Sequence, residues 1–197
     1  MNPLEQLIQL DQHFTLWLNN LGSTGSGAVW LLLSDAKIWF PAYGAVMAYM
    51  LWKMGWKRGL TVVLSLFVCV LLTDQLSVVV KNGVERLRPC YNSWMIDHGV
   101  RWVYGQAHGF YGFFSSHAAN TLGFATASTL GFRFNTPGPF WKAYGWGVAA
   151  WALLVCVSRV MMAAHFAGDV LVGMLFGLLV GALVALATRI LVVKARL

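Results

Sequence analysis

Three short stretches of the chain combine residue types able to hold an anion and to carry out nucleophilic and acid–base chemistry. The first is Lys81-Asn82-Gly83-Val84-Glu85-Arg86-Leu87-Arg88-Pro89. Lys81 and Arg88 are seven residues apart, so a helix continuing through them sets both on one face before Pro89 ends it. Two readings fit: a basic collar snorkelling at a membrane edge, or a pair of fixed cations of the kind a phosphate needs. The second stretch is Phe114-Ser115-Ser116-His117. Serines in front of an apolar run make good N-caps. The same geometry leaves backbone N–H groups at a positive helix end, where anions bind, with His117 placed to give up a proton. The third runs from Ser158-Arg159 through His165 to Asp169. His165 and Asp169, four apart, stack on one helical face, where a carboxylate accepts from one imidazole nitrogen and leaves the other as nucleophile or base. A purely structural His–Asp hydrogen bond fits that spacing equally. In steps of four, Gly173, Gly177, Gly181 and Ala185 then form a small-residue ridge of the sort that packs on a second helix, so the pair starts out facing the interior.

The elements that must position these residues are set by composition. Of 197 residues, 58% are hydrophobic and 11% charged, with ten Trp, twelve Phe and six Tyr. A soluble domain carries about a quarter charged residues. So much apolar sequence exceeds what a core of this size can hide, which excludes soluble and disordered chains. The net charge of +7 is scattered in short clusters between apolar runs, which sets nucleic acid aside as a partner. Cys69, Cys90 and Cys156 fall in separate segments with neither CxxC nor Cys/His spacing, so no disulfide framework or zinc site is indicated. Glu85, Asp97 and Asp169 are too scattered for a two-metal clamp, and no metal or other cofactor is expected.

The expected fold is all-α: a single polytopic transmembrane helical bundle of about five spans, over residues 37–56, 60–80, 118–134, 143–160 and 166–193. The apolar part of the first, 38–52, is short and contains Pro41, so Lys37 and Lys53 must snorkel at its ends. Residues 1–20 interleave Glu5, Asp11 and His13 with Leu4, Leu7, Ile8, Leu10, Phe14 and Leu18. That pattern predicts an amphipathic interfacial helix, within an N-terminal segment 1–36, and not a signal peptide. Residues 90–115 form the one long polar loop, whose Trp94, Trp102 and Tyr104 suit the headgroup region. His98 and His108 have no spacing that gives them a role. Asp74, seven before Lys81, either supports the Lys81 face or pairs within the bundle.

Lys53, Lys57, Arg58, Arg133, Lys142, Arg189, Lys194 and Arg196 fall on one side of a five-span chain; Lys37, Lys81, Arg86, Arg88, Arg101 and Arg159 fall on the other. By the positive-inside rule the eight-charge side is cytoplasmic. All three chemical stretches then lie on the opposite side. Together they supply three cations, an anion-binding helix end, two histidines and a carboxylate, which describes a phosphate site.

Lys-x6-Arg-Pro, Ser-x-His and Ser-Arg-x5-His-x3-Asp, in this order and each at a membrane edge, resemble the three-part signature of the type 2 phosphatidic acid phosphatase superfamily of membrane lipid phosphatases. The resemblance spans Lys81 to Asp169. It departs at one position, where Ser116 stands in place of the family's glycine. The resemblance implies that His165 attacks phosphorus to form a phosphohistidine, that Asp169 orients and charges the imidazole, and that His117 protonates the departing oxygen. Lys81, Arg88, Arg159, the Ser115 hydroxyl and the Ser116 N–H would hold the phosphoryl oxygens without metal. It further implies a multi-pass protein of the bacterial inner membrane, embedded with its membrane lipid phosphate substrate, whose site faces the periplasm or exterior. Undecaprenyl diphosphate and phosphatidylglycerol phosphate are the foremost substrates on this reading. A lipid phosphotransferase or a lipid A phosphatase are alternatives, and a noncatalytic lipid-phosphate-binding protein is a more distant one. Nothing in the sequence speaks to oligomeric state.

Overall fold

A computed structural model describes residues 2–22, 24–102 and 109–196. Tyr104 and His108 of the long loop lie outside the described residues. Among the described residues eight α-helices follow one another: α1 (Pro3–Asn20), α2 (Gly27–Ser34), α3 (Phe40–Met54), α4 (Trp56–Val84), α5 (Ser93–Asp97), α6 (Ser116–Asn135), α7 (Phe140–Met161) and α8 (Ala167–Lys194). The chain is all-α. Among the described residues the one extended pairing is an isolated antiparallel bridge between Leu87 and Tyr111.

The long helices occupy the five stretches expected from hydropathy, and α4, α7 and α8 are long and apolar enough to cross a membrane. The expected first span is trimmed to the 15 residues of α3, and Lys37 sits before it in a short 3-10 turn capped by the Asp35 side chain. Gly55, with φ of +77°, reverses the chain between α3 and α4. At Gly59 a side chain would sit 2.8 Å from the Leu51 Cα, so the two helices meet tightly there.

Helix α6 stands at the centre, and its composition reflects that place. Ala118, Ala119, Thr121, Gly123, Ala125, Ala127, Ser128 and Gly131 are all buried against neighbouring helices, where small side chains permit close approach. Its weaker hydropathy comes from being enclosed by protein, whereas α8 turns Leu171, Leu175, Leu179, Leu183 and Ile190 outward. The expected small-residue ridge of α8 is the α6 contact: a Cβ at Gly173, Gly177 or Gly181 would lie 2.6, 2.3 or 2.6 Å from the carbonyl oxygens of Ser115, Ala119 and Gly123. Apolar clusters fill the rest. Met50, Val62, Leu66, Phe124 and Phe132 join α3, α4 and α6, and Leu122, Ala152, Cys156 and Val170 join α6, α7 and α8.

One end of the bundle gathers the end of α4, the start of α6, the end of α7 and the start of α8. The opposite end carries the eight-cation set.

Helix α1 packs across the first of these ends. Its Asn2 and Glu5 form a capping box, and its Leu4, Leu7, Leu10, Phe14 and Trp17 point away from the bundle. Thr15 and Asn19 are buried on the other side. Thr15 Oγ1 accepts the Ala167 N–H at 2.9 Å and Asp11 Oδ1 accepts the Gly168 N–H at 2.8 Å, so α1 satisfies two of the free donors at the start of α8. Asn19 Nδ2 donates to the Val160 and Met161 carbonyls at the end of α7.

Candidate active site

Helix α4 ends at Val84, earlier than the Lys81–Arg88 spacing suggests. Glu85 takes a left-handed conformation (φ 53°) and its N–H closes the last turn on the Lys81 carbonyl at 3.0 Å. Arg88 therefore does not share a helical face with Lys81; it reaches the same cavity from the segment beyond. There Arg86 to Arg88 pair with Phe110 to Gly112: the Arg88 N–H donates to Phe110 O at 3.0 Å and the Gly112 N–H to Arg86 O at 2.8 Å.

His165 likewise precedes α8 and is not on its face with Asp169. After α7 the chain turns through Ala163, at φ of 55°, and the Ala164 and His165 N–H groups both donate to the Arg159 carbonyl, at 3.1 and 3.2 Å. Thus the arginine and the histidine of the third stretch are locked together by main chain.

The imidazole is buried and its tautomer follows from its partners. Nδ1 lies 2.8 Å from the Gly112 carbonyl, an acceptor only, and Nε2 lies 2.9 Å from Arg88 Nη1, a donor only. Nδ1 therefore carries the proton and Nε2 presents its lone pair to Arg88. Burial first, then the charges of Arg88, Arg159, Lys81 and His117, hold this imidazole well below its ordinary pKa. Gly112 is closely packed: a Cβ there would lie 3.1 Å from Asp169 Oδ2 and 3.2 Å from Arg88 Cγ, so any side chain would press on the carboxylate and the guanidinium stem.

Asp169 does not accept from the imidazole directly; its Oδ2 is 3.8 Å from Nδ1 and accepts the Phe166 N–H at 3.1 Å instead. Its Oδ1 accepts from Arg86 Nη1 at 2.6 Å. Arg86 in turn gives Nη2 to Asp11 at 2.7 Å, and its guanidinium lies 4.1 Å over the Phe166 ring. The carboxylate is thus held by a cation on one side and a helix N–H on the other, close enough to the imidazole to act through charge.

A cavity of about 620 Å³ opens on this centre. Lys81, Arg88, Ser116, His117, Arg159 and His165 line one part of it. Lys81 Nζ donates to Ser116 Oγ, which also pairs with Ser77 Oγ at 2.6 Å. Arg159 is almost wholly buried and donates to Ser34 Oγ of α2. Arg88 is anchored through Nε to Gly109 O and through Nη1 to Ala164 O, each at 2.7 Å. Ser115 stands behind the lining, where its Oγ caps α6 at the Ala118 N–H and its own N–H donates to Asp169 O at 3.1 Å. Phe40, Tyr43 and Met47 of α3, Leu66, Phe67 and Val70 of α4, and Phe124 of α6 line the rest. Among the described residues no group of three or more His, Cys, Asp or Glu side chains is placed to hold a metal ion.

Of the eight residues expected from sequence, six meet in the cavity and two, Ser115 and Asp169, support it from behind. Arg86, Asp11 and Gly112 join them unforeseen. A glycine inside the aromatic run Phe110 to Phe114 was the one available signal for the last.

The family model of the PAP2 superfamily matches residues 62–191, and the chain belongs to that superfamily. It is a membrane phosphatase of that class, as the resemblance of its three stretches implied. A lipid A 4'-phosphatase of Porphyromonas gingivalis is 30% identical over 179 residues, which cover 90% of this chain and 72% of that protein. A second lipid A 4'-phosphatase, from Bacteroides thetaiotaomicron, is 27% identical over 175 residues, covering 88% and 75%. The fold matches the crystal structure of the first transmembrane PAP2 type phosphatidylglycerolphosphate phosphatase from Bacillus subtilis, with a TM-score of 0.71 and 21% identity over 91% of this chain and 84% of that one.

Proposed function

We propose that this protein removes a terminal phosphate from a membrane lipid by way of a phosphohistidine on His165. The observation that carries the reading is the His165 Nε2 lone pair, fixed by Gly112 O on Nδ1 and set among three cations at the polar part of an otherwise apolar cavity. In the first step Nε2 attacks phosphorus, the P–O bond to the leaving group breaks (an ester in a phosphomonoester, an anhydride in a diphosphate), and His117 gives its proton to the departing oxygen. In the second, water attacks phosphorus, its proton passes to His117, the P–N bond breaks, and inorganic phosphate leaves. Lys81, Arg88 and Arg159 take up the charge on the equatorial oxygens, with Ser116 beside Lys81. Asp169 supports the positive charge that the imidazole carries while phosphorylated.

The lipid enters with its phosphate at the cation cluster and its apolar part along α3, α4 and α6. Undecaprenyl diphosphate, phosphatidylglycerol phosphate and the phosphates of lipid A share the required chemistry, and the two lipid A 4'-phosphatase relatives bring the last forward. The eight cations at the opposite end support a site that faces away from the cytoplasm, and the helical bundle supports the inner membrane.

The test is phosphate release by the purified, detergent-solubilised protein in EDTA on those three lipids, with His165→Ala as control. Release by the native protein, loss of it in the variant, and an acid-labile phosphoryl group on His165 are expected. A metal requirement, or near-normal turnover by folded His165→Ala, overturns the mechanism.

A further inference from the structure

We infer that Asp74, together with Asn120, is a second recognition point in the cavity, one that accepts a hydrogen bond from an O–H or N–H group of the substrate's headgroup. The inference rests on the phosphatase reading and narrows the lipids that reading admits. Asp74, Ser77 and Lys81 recur on one face of α4, and Asp74 and Lys81 both line the cavity. Seven residues of helix place Asp74 about 10 Å along the axis from Lys81. It thus stands past the phosphate cradle, among Phe67, Val70, Tyr43 and Phe124.

A carboxylate inside a membrane span is costly and marks a function or a strong partner. Asp74 has no strong partner. Among the described residues no cation lies within 4.0 Å of it, and the Lys81 ammonium is turned to Ser116. Its hydrogen bonds are long, 3.3 Å from Asn120 Nδ2 and 3.5 Å from Gln75 Nε2. A carboxylate offers about four acceptor sites, so much of its capacity is unspent, and Asp74 lines the cavity. Asn120 is held by Thr73 Oγ1, which donates to its Oδ1 at 2.6 Å and turns its amide N–H groups towards Asp74 and the cavity.

A lipid matching this arrangement has hydroxyl or amide groups within one sugar or one glycerol unit of the phosphate. An isoprenoid chain at the same depth offers the carboxylate no donor beyond the two long bonds from Asn120 and Gln75. The preferred class is therefore a phosphorylated glycolipid or glycerophospholipid, and undecaprenyl diphosphate is disfavoured.

The experiment compares kcat/KM of the full chain in detergent for lipid A bearing a 4'-phosphate, phosphatidylglycerol phosphate and undecaprenyl diphosphate, in the native protein, Asp74→Leu and the isosteric Asp74→Asn. Loss of one charge-assisted hydrogen bond predicts a fall of about tenfold to a hundredfold for the sugar or glycerol substrates in Asp74→Leu. The value for undecaprenyl diphosphate rises, so the selectivity ratio inverts, and Asp74→Asn moves the ratio the same way by less. A ratio that stays put in both variants, whether all three substrates fall together or none falls, overturns the inference and makes Asp74 a support for Lys81 or for the bundle. If the native protein releases phosphate from none of the three, the phosphatase reading falls, and the inference with it.

Discussion

Replacing Asp169 by asparagine separates two jobs a carboxylate beside a catalytic histidine can do. Here the tautomer is fixed by Gly112 O, 2.8 Å from Nδ1, so the amide variant leaves the Nε2 lone pair in place. What is lost is charge. A unit negative charge 3.8 Å from an imidazole that turns positive is worth about 4 kcal/mol at an effective dielectric constant of about 20. Arg86 offsets part of that and Asp11, on the far side of Arg86, restores part of it. The expected loss in kcat is therefore on the order of a hundredfold to a thousandfold, with KM little changed. The side-chain amide of Asp169→Asn has a single acceptor oxygen for the two present donors, Arg86 and Phe166, so the melting temperature in detergent is measured alongside. Single-turnover phosphoenzyme formation reads the step directly. A loss smaller than tenfold would remove Asp169 from the chemistry. A loss as deep as that of His165→Ala in a variant with native melting behaviour would show that the carboxylate, and not Gly112, sets the tautomer.

Two further outcomes test the surroundings. In Arg88→Gln the second-largest cause of the lowered His165 pKa is gone, so the proton is held more tightly and the limb of the kcat/KM profile that follows His165 moves to higher pH. An unmoved limb refutes that account whatever the overall rate. Gly177→Ala puts a methyl 2.3 Å from the Ala119 carbonyl and forces α6 and α8 apart, at an expected cost of about 1–3 kcal/mol, read as a lower unfolding midpoint in detergent; an unchanged midpoint refutes the packing.

The histidines, the cations and the bundle class were readable because each leaves a mark in local sequence. Apolar runs give spans, and polar residues at their edges stand out. The positions of α6, α7 and α8 followed within a few residues. What escaped was carried by main chain or by distance. Gly112 acts through its carbonyl oxygen, which every residue possesses, and it meets a histidine 53 positions away. Asp11 meets Gly168 across 157 positions, and its i, i+4, i+8 companions Thr15 and Asn19 look like the ordinary polar stripe of an interfacial helix. The early end of α4 was hidden because a left-handed Glu85 has no sequence signature comparable to a glycine. Arg86 stands between Lys81 and Arg88, and its partners Asp11 and Asp169 lie 75 and 83 positions away, too far to leave a local mark.

The docking of α1 makes catalytic order depend on the first twenty residues of the chain. Their inner face supplies Asp11, Thr15 and Asn19 to the two helix ends that carry Arg159 and Asp169, while their outer face is a continuous strip of leucine and aromatic side chains. Whatever medium wets that strip therefore pulls on the same helix that steadies the turn bearing His165. Micelle, bicelle and bilayer preparations of one and the same protein are therefore expected to differ in activity, and a bulky tag joined before Pro3 perturbs the scaffold of the turn that bears His165.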